Sequence, residues 1–263
     1  WGLMAGGGWG GDGGSPWKPA HLCAWSKIKL GWLVPTDIDS FTTNLEIVPV
    51  ENNPVVYRIK SSTDSSERFL LSNRRKTGFD ERLPESGLLI WHIDTERTSR
   101  WPGSNSVNDD EHHYGVGLEQ ADGRFDLEEG SNRGDKNDPY PGRTGNHIYD
   151  NESMPDSKSY YSEPSYVAVY DITEDEDLIR VKIWMPNSEV PYLTLESYSF
   201  QIISGDDDGL INPGETAALR VVLANSENAG VATDVSIKVS VDDPNLSFVS
   251  NLANFPDINP GVT

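Results

Sequence analysis

The spacing of apolar residues changes along the chain, and each change predicts a different element. Over residues 16–30, Leu22, Trp25 and Ile28 recur every three positions, which predicts a helix. Ser15 stands as its N-cap, Pro16 in its first turn and Gly31 at its C-terminal cap. From residue 44 the period shortens to that of strands. NLEIVPVE, VVYRIK, ERFLLSN and SGLLIWHID are rich in β-branched and aromatic residues and are parted by turn clusters. The apolar part of SGLLIWHID is nearly continuous, predicting a buried central strand over 88–93 in which His92 is structural. Residues 99–164 then read as one long excursion of few apolar residues and many Gly, Asn, Asp and Pro. SYVAVYDIT and LIRVKIW, joined by an acidic turn at 174–177, predict a closing hairpin. Beyond Pro186, Asn187 and Ser188 come YLTLESYSFQII, TAALRVVLAN and TDVSIKVSVDD, short alternating strands of immunoglobulin-like β-sandwich pattern. The expected fold is therefore mostly β with one clear helix. Its expected domains are 1–187 and 188–263, the second being a β-sandwich truncated at Thr263.

Charge removes whole classes of partner. The 263 residues carry 42 acidic against 21 basic side chains, a net charge of −21. That balance excludes binding to a nucleic-acid backbone and attraction to anionic membrane surfaces. No apolar run approaches the ~20 residues of a membrane span. The single Cys23 excludes an internal disulfide framework and reads as a small buried side chain. Residues 1–14 hold eight Gly, so they read either as a flexible tail or as a packed turn, and Trp1, Leu3, Met4 and Trp9 favour the turn. A chain that opens on Trp1 and closes on Thr263 is expected to be a piece of a longer polypeptide.

Two acidic loops could carry chemistry. In GLEQADGRFDLEEGSNRGDKNDPYPG, residues 117–142, Asp122, Asp126, Asp135 and Asp138 supply hard oxygen donors, with Glu129 and Asn132 available. Gly123, Gly130 and Gly134 let the chain wrap around an ion, and Phe125 and Leu127 could pin it. The alternatives are a calcium site and a solvated acidic loop; the alternation of single acids with Gly favours calcium. In SGDDDGLINPGE, residues 204–215, Asp206 and Asp208 open a second oxygen-donor loop that Glu215 could close, the alternative being an ordinary acidic turn. No H-E-x-x-H occurs, and neither does G-x-S-x-G, a phosphate-binding loop or a dinucleotide fingerprint. Glu111, His112 and His113 form a loop triplet expected to be exposed. The chain by its own residues holds no complete active site.

WGLMAGGGW, PAHLCAWSKIKLGW, RFLLSNRRKTGFDERLPESGLLIWHID, the Asp-rich loop and the strand pair ending in VKIW together resemble the immune inhibitor A family of secreted zinc metallopeptidases. The resemblance covers roughly residues 1–186, in family order. It implies that the H-E-x-x-H helix lies upstream of Trp1, that Met4 belongs to a Met-containing turn beneath the zinc, and that the Asp-rich loop is an ion-binding segment. The expectation is thus a calcium-stabilised fragment of a secreted zinc endopeptidase, with zinc bound only in the parent protein. Its partners would be a peptide or protein substrate and the upstream half of its own catalytic domain. The alternative is a non-catalytic structural or adhesive protein, secreted or at the cell surface, built on a peptidase-like scaffold. A third reading, carbohydrate binding through Trp9, Trp17 or Trp101, is weaker, because aromatics in strands and Gly-rich turns more often pack in a core.

Overall fold

A computed structural model describes residues 1–2, 17–61, 64–100, 106–185, 190–206, 208 and 210–262. Met4, Trp9, Ser15, Pro16, Trp101 and the Pro186–Ser188 stretch lie outside the described residues. The chain is mostly β and divides into two compact units, Trp1–Met185 and Pro186–Thr263.

The first unit contains two sheets. One has the order β1 (Thr36–Ile38), β3 (Tyr57–Lys60), β4 (Glu67–Arg74), β5 (Gly87–Asp94), β6 (Val116–Glu119). Its β1–β3 pair is parallel and the remaining pairs are antiparallel. The other has the order β2 (Thr42–Ile47), β9 (Leu178–Trp184), β8 (Ala168–Asp175), β7 (Ile148–Tyr149), antiparallel throughout. Side chains alternate across a strand, so β4 and β5 send Phe69, Leu71, Leu88 and Ile90 to one face. There they join Ile47, Tyr149, Val169, Val181 and Ile183 of the second sheet in one core. Leu70, Leu89, Trp91 and Ile93 point the other way, into a second core with Trp1, Cys23, Ala24 and Leu118. Burial on both faces explains the unbroken apolar run of β5, every residue of which is buried. Asn73, fully buried, fastens the two sheets by donating to the carbonyls of Ile47 at 2.8 Å and Asp177 at 2.7 Å.

The helical segment is shorter than its periodicity predicts. Helix α1 spans Ala24–Lys29 with Cys23 at its N-cap, and residues 19–23 are non-helical. Pro19 disfavours the α conformation in Lys18, inside the predicted first turn. His21 therefore precedes the helix and donates its backbone N–H to Asp80 at 2.8 Å. A second, four-residue helix, α2 (Thr95–Thr98), went unanticipated; Asp94 caps it by accepting from Glu96 N–H at 2.7 Å and Arg97 N–H at 3.2 Å. The excursion over 99–164 is not a single loop either. It contributes β6 to one sheet and β7 to the other, so it is built into the scaffold at both edges.

In the second unit β10 (Leu193–Ser204) pairs with β11 (Thr216–Asn225), and β12 (Ser236–Lys238) with β13 (Leu252–Asn254), both antiparallel. Leu223, Ala232, Val235 and Ile258 form its small core. Buried Asn225 braces that core, donating to the carbonyls of Gly230 at 2.8 Å and Ile258 at 2.9 Å.

Candidate metal centre

The Asp-rich segment is a closed loop hung from the first sheet. Its near end continues from β6. Its far end pairs with the start of β5 through Leu88 N–H to Tyr140 O at 2.8 Å and Tyr140 N–H to Leu88 O at 2.9 Å. Ala121 N–H donates to the Asp138 carbonyl at 2.9 Å, drawing the two ends together. Leu127 packs at the edge of the second core, and its N–H donates to the Gln120 side chain at 3.2 Å. The exposed Phe125 does not pin the loop.

Inside this loop, carboxylate oxygens of Asp122, Asp126 and Asp135 lie within 4.8 Å of one another. Among the described residues they are the one group of three or more His, Cys, Asp or Glu at metal-binding reach. Asn132 stands between two of them, its amide donating to Asp126 Oδ2 at 3.1 Å and to Asp135 Oδ2 at 3.2 Å. Asp122 is the informative member. Its side chain is 7 % exposed, and Oδ2 is buried without a hydrogen-bond partner. The Arg124 guanidinium, 3.8 Å away and largely exposed, stands beyond hydrogen-bond distance. A buried carboxylate oxygen left this way is costly unless something else pairs with it. An all-carboxylate donor set suits a hard divalent cation such as calcium.

The fourth predicted residue, Asp138, stands apart from this group. It is buried, and its Oδ2 accepts from the Trp1 indole N–H and from Asp135 N–H, the latter at 2.9 Å. Burial pushes its pKa up, the Trp1 and Asp135 donors pull it back, and the neighbouring Asp135 and Asp122 charges add to the rise. Trp1 is separated from it by 137 positions, so no local spacing could reveal the pair. Glu129 is exposed, and its side chain accepts from the Ser131 hydroxyl at 3.5 Å.

The second acidic loop is arranged differently. Glu215 accepts backbone N–H groups of Asp206 and Asn212, both at 2.9 Å, while Asp206 and Asp208 are exposed. Asp206, Asp208 and Glu215 form no such group among the described residues, and Asp207 and Gly209 lie outside them. Glu215 here acts as the tie of an acidic turn.

A buried ionic cluster went unpredicted. His92 of β5 reaches Glu67 Oε2 with Nε2 at 2.9 Å and Glu119 Oε1 with Nδ1 at 3.3 Å. The register explains the geometry: Phe69 and Gly117 lie directly opposite His92, which puts Glu67 and Glu119 on the adjacent diagonals. Gly117 leaves the space that Tyr160 fills. The Tyr160 ring stacks on His92 with centroids 4.4 Å apart and on His113 at the same distance. His113, expected to be exposed, is thus part-buried and bonded to Asp94 at 2.7 Å, whereas His112 is exposed as expected. A pocket of about 310 Å³ lies on the second sheet, among Thr43, His147, Asp171, Arg180 and Lys182. Its cations are already engaged, Lys182 with Asp171 at 2.6 Å and Arg180 with Asp175 at 2.5 Å.

Comparison with known proteins gives no match: no family model fits the chain, and no curated protein or solved structure is significantly similar to it.

Burial opposes a charge on His92, but its bonds to Glu119 and Glu67 outweigh that and raise its pKa from 6.5 to about 9. A folded-state pKa above the unfolded value gives stability that is complete below pH 6.5 and lost as pH rises through about 9. Urea denaturation across this window should show falling stability for the native chain and a flatter profile for His92→Gln. Parallel profiles would contradict the assignment.

Proposed function

We propose that the chain is the C-terminal part of a secreted zinc-dependent endopeptidase, stabilised by one calcium ion in its Asp-rich loop. The observation that carries the calcium reading is the buried, hydrogen-bond-deficient Oδ2 of Asp122 beside Asp126 and Asp135. A cation there would pair with that oxygen and offset the mutual repulsion of three carboxylates. Calcium takes six to eight oxygens, so backbone carbonyls, Asn132 and water would complete its set. The described residues do not fit zinc: the group within reach is three aspartates, with no His or Cys among them. No catalytic step is therefore assigned to this chain.

The peptidase reading rests on the order of residue segments that resemble the immune inhibitor A family over roughly residues 1–186. In it the two-sheet unit supports a zinc site whose ligands come from an upstream segment, and a peptide or protein is the substrate. Met4, the candidate floor of that site, lies outside the described residues. The second unit is read as an immunoglobulin-like spacer. No helix among the described residues is long and apolar enough to cross a membrane. One observation favours the alternative, a non-catalytic structural or adhesive protein of the cell surface. Tyr198 and Phe200 on β10 are 64 % and 57 % exposed, and Leu219 beside them is also open to solvent. An apolar sheet face of this kind suits assembly.

Two experiments separate these readings. Calcium at a hundred times its Kd should stabilise the chain by about 2.7 kcal/mol over chelator, a Tm rise of roughly 5–10 °C. Asp126→Ala should abolish the rise and Asp110→Ala should keep it; a Tm indifferent to chelator would reject the site. Mass mapping of the polypeptide from its native source should find an H-E-x-x-H segment upstream of Trp1 and one zinc per chain. A native chain with neither would sink the peptidase reading and leave the structural one.

A further inference from the structure

Asp135 belongs to two structures at once. Its carboxylate is one of the three grouped in the candidate calcium site, and its backbone N–H donates to Asp138 Oδ2 at 2.9 Å. The same Asp138 oxygen accepts the indole N–H of Trp1. Asp138 is buried and Trp1 is nearly so, which makes this a desolvated three-residue bridge rather than a surface contact. The preceding residue is seated just as closely. Gly134 has φ of +101°, and a Cβ there would lie 2.9 Å from Trp1 Nε1 and 3.3 Å from Asp138 Oδ2. A side chain at Gly134 would therefore collide with the edge of the indole, which sets the chain just before Asp135 close beside the ring. Trp1 is held at its other end as well: its carbonyl accepts from Arg74 at 3.3 Å, and its ring belongs to the core behind β5.

We propose that divalent-cation binding at Asp122, Asp126 and Asp135 is coupled through Asp135 and Asp138 to the seating of Trp1, so that the ion holds the indole in place. This rests on the calcium reading of the loop. A cation that draws the Asp135 carboxylate inward fixes the Gly134–Asp135 peptide, and with it Asp138 and the indole. Coupling free energies are reciprocal, so Trp1 must raise the affinity for the cation by the same factor as the cation favours the seated ring. Trp1 and Asp138 are positioning residues, acting on the ion through Asp135. The fit of Asp122 to a cation is a separate observation, since its unpartnered oxygen makes no part of the bridge.

The test is calcium titration calorimetry on the full-length protein, with the Trp1 indole N–H resonance followed by NMR. Trp1→Phe keeps an aromatic ring, though a smaller one, and removes the N–H. It should weaken calcium binding about tenfold, the lower end of what losing a partner that orients a metal ligand costs. Gly134→Ala, which leaves the indole N–H in place and crowds the ring from the loop side, should weaken it similarly and gives an independent variant. Trp91→Phe removes an indole N–H that is buried without a hydrogen-bond partner and should leave the affinity unchanged. In the native protein, calcium should sharpen the Trp1 indole N–H signal and slow its exchange with solvent. Unchanged or tighter binding in both Trp1→Phe and Gly134→Ala overturns the coupling and leaves the calcium site standing. Absence of saturable binding in the native protein overturns both.

Discussion

Like charges brought close together in a partly buried loop must be neutralised, and this constraint organises the region from β6 to β5. Asp122, Asp126 and Asp135 hold carboxylate oxygens within 4.8 Å of one another, on a chain whose net charge is already −21. Their closeness is imposed from outside the loop. The ladder between Leu88 and Tyr140 fixes one end, β6 fixes the other, and Ala121 bonds to Asp138 where they meet. The loop cannot relax by opening without breaking pairs in the sheet. Asn132 bridges two of the three carboxylates with amide protons, which supplies partial positive charge but leaves Asp122 Oδ2 without a donor. On the proposed calcium reading, a cation would pair with that oxygen and offset the repulsion among the three carboxylates.

Elsewhere in the same unit, buried acids are met by cations of the chain itself. His92 lies between Glu67 and Glu119, and Arg74 between Asp80 at 2.6 Å and Glu51 at 3.4 Å. Both cations sit on β4 and β5 of the first sheet; register sets the partners of His92, while Arg74 meets Glu51 and Asp80 from the turns around it. The Asp-rich loop has no comparable basic residue inside it: Arg124 is exposed and 3.8 Å from Asp122.

Much of the scaffold was legible in the chain. The strands from β2 to β5 and the hairpin of β8 and β9 follow from period, β-branching and turn residues. The unbroken run around Trp91 correctly marked a strand buried on both faces. Periodicity overextended the first helix: Leu22, Trp25 and Ile28 keep a helical spacing, yet residues 19–23 are non-helical and the helix starts at Ala24. It missed β6 and β7 because four residues and two residues are too short to show a period. For the candidate site, single acids alternating with Gly singled out Asp122, Asp126 and Asp135, whose carboxylates the fold brings within 4.8 Å of one another. Asp138 looked equivalent in that spacing, yet its buried oxygen is taken by Trp1, a contact made only when distant segments meet in the second core. The cluster of Glu67, His92 and Glu119 was hidden for a similar reason, since strand register is not written in the period of any single strand.

A hard cation between Asp122, Asp126 and Asp135 would be seen in crystals grown in millimolar calcium, with anomalous scattering recorded. One peak should lie among the three carboxylates, with ion–oxygen distances of about 2.3–2.6 Å and Asp122 Oδ2 among the ligands. A map without a peak there, with Asp122 Oδ2 hydrogen-bonded to water or protein instead, would contradict the account.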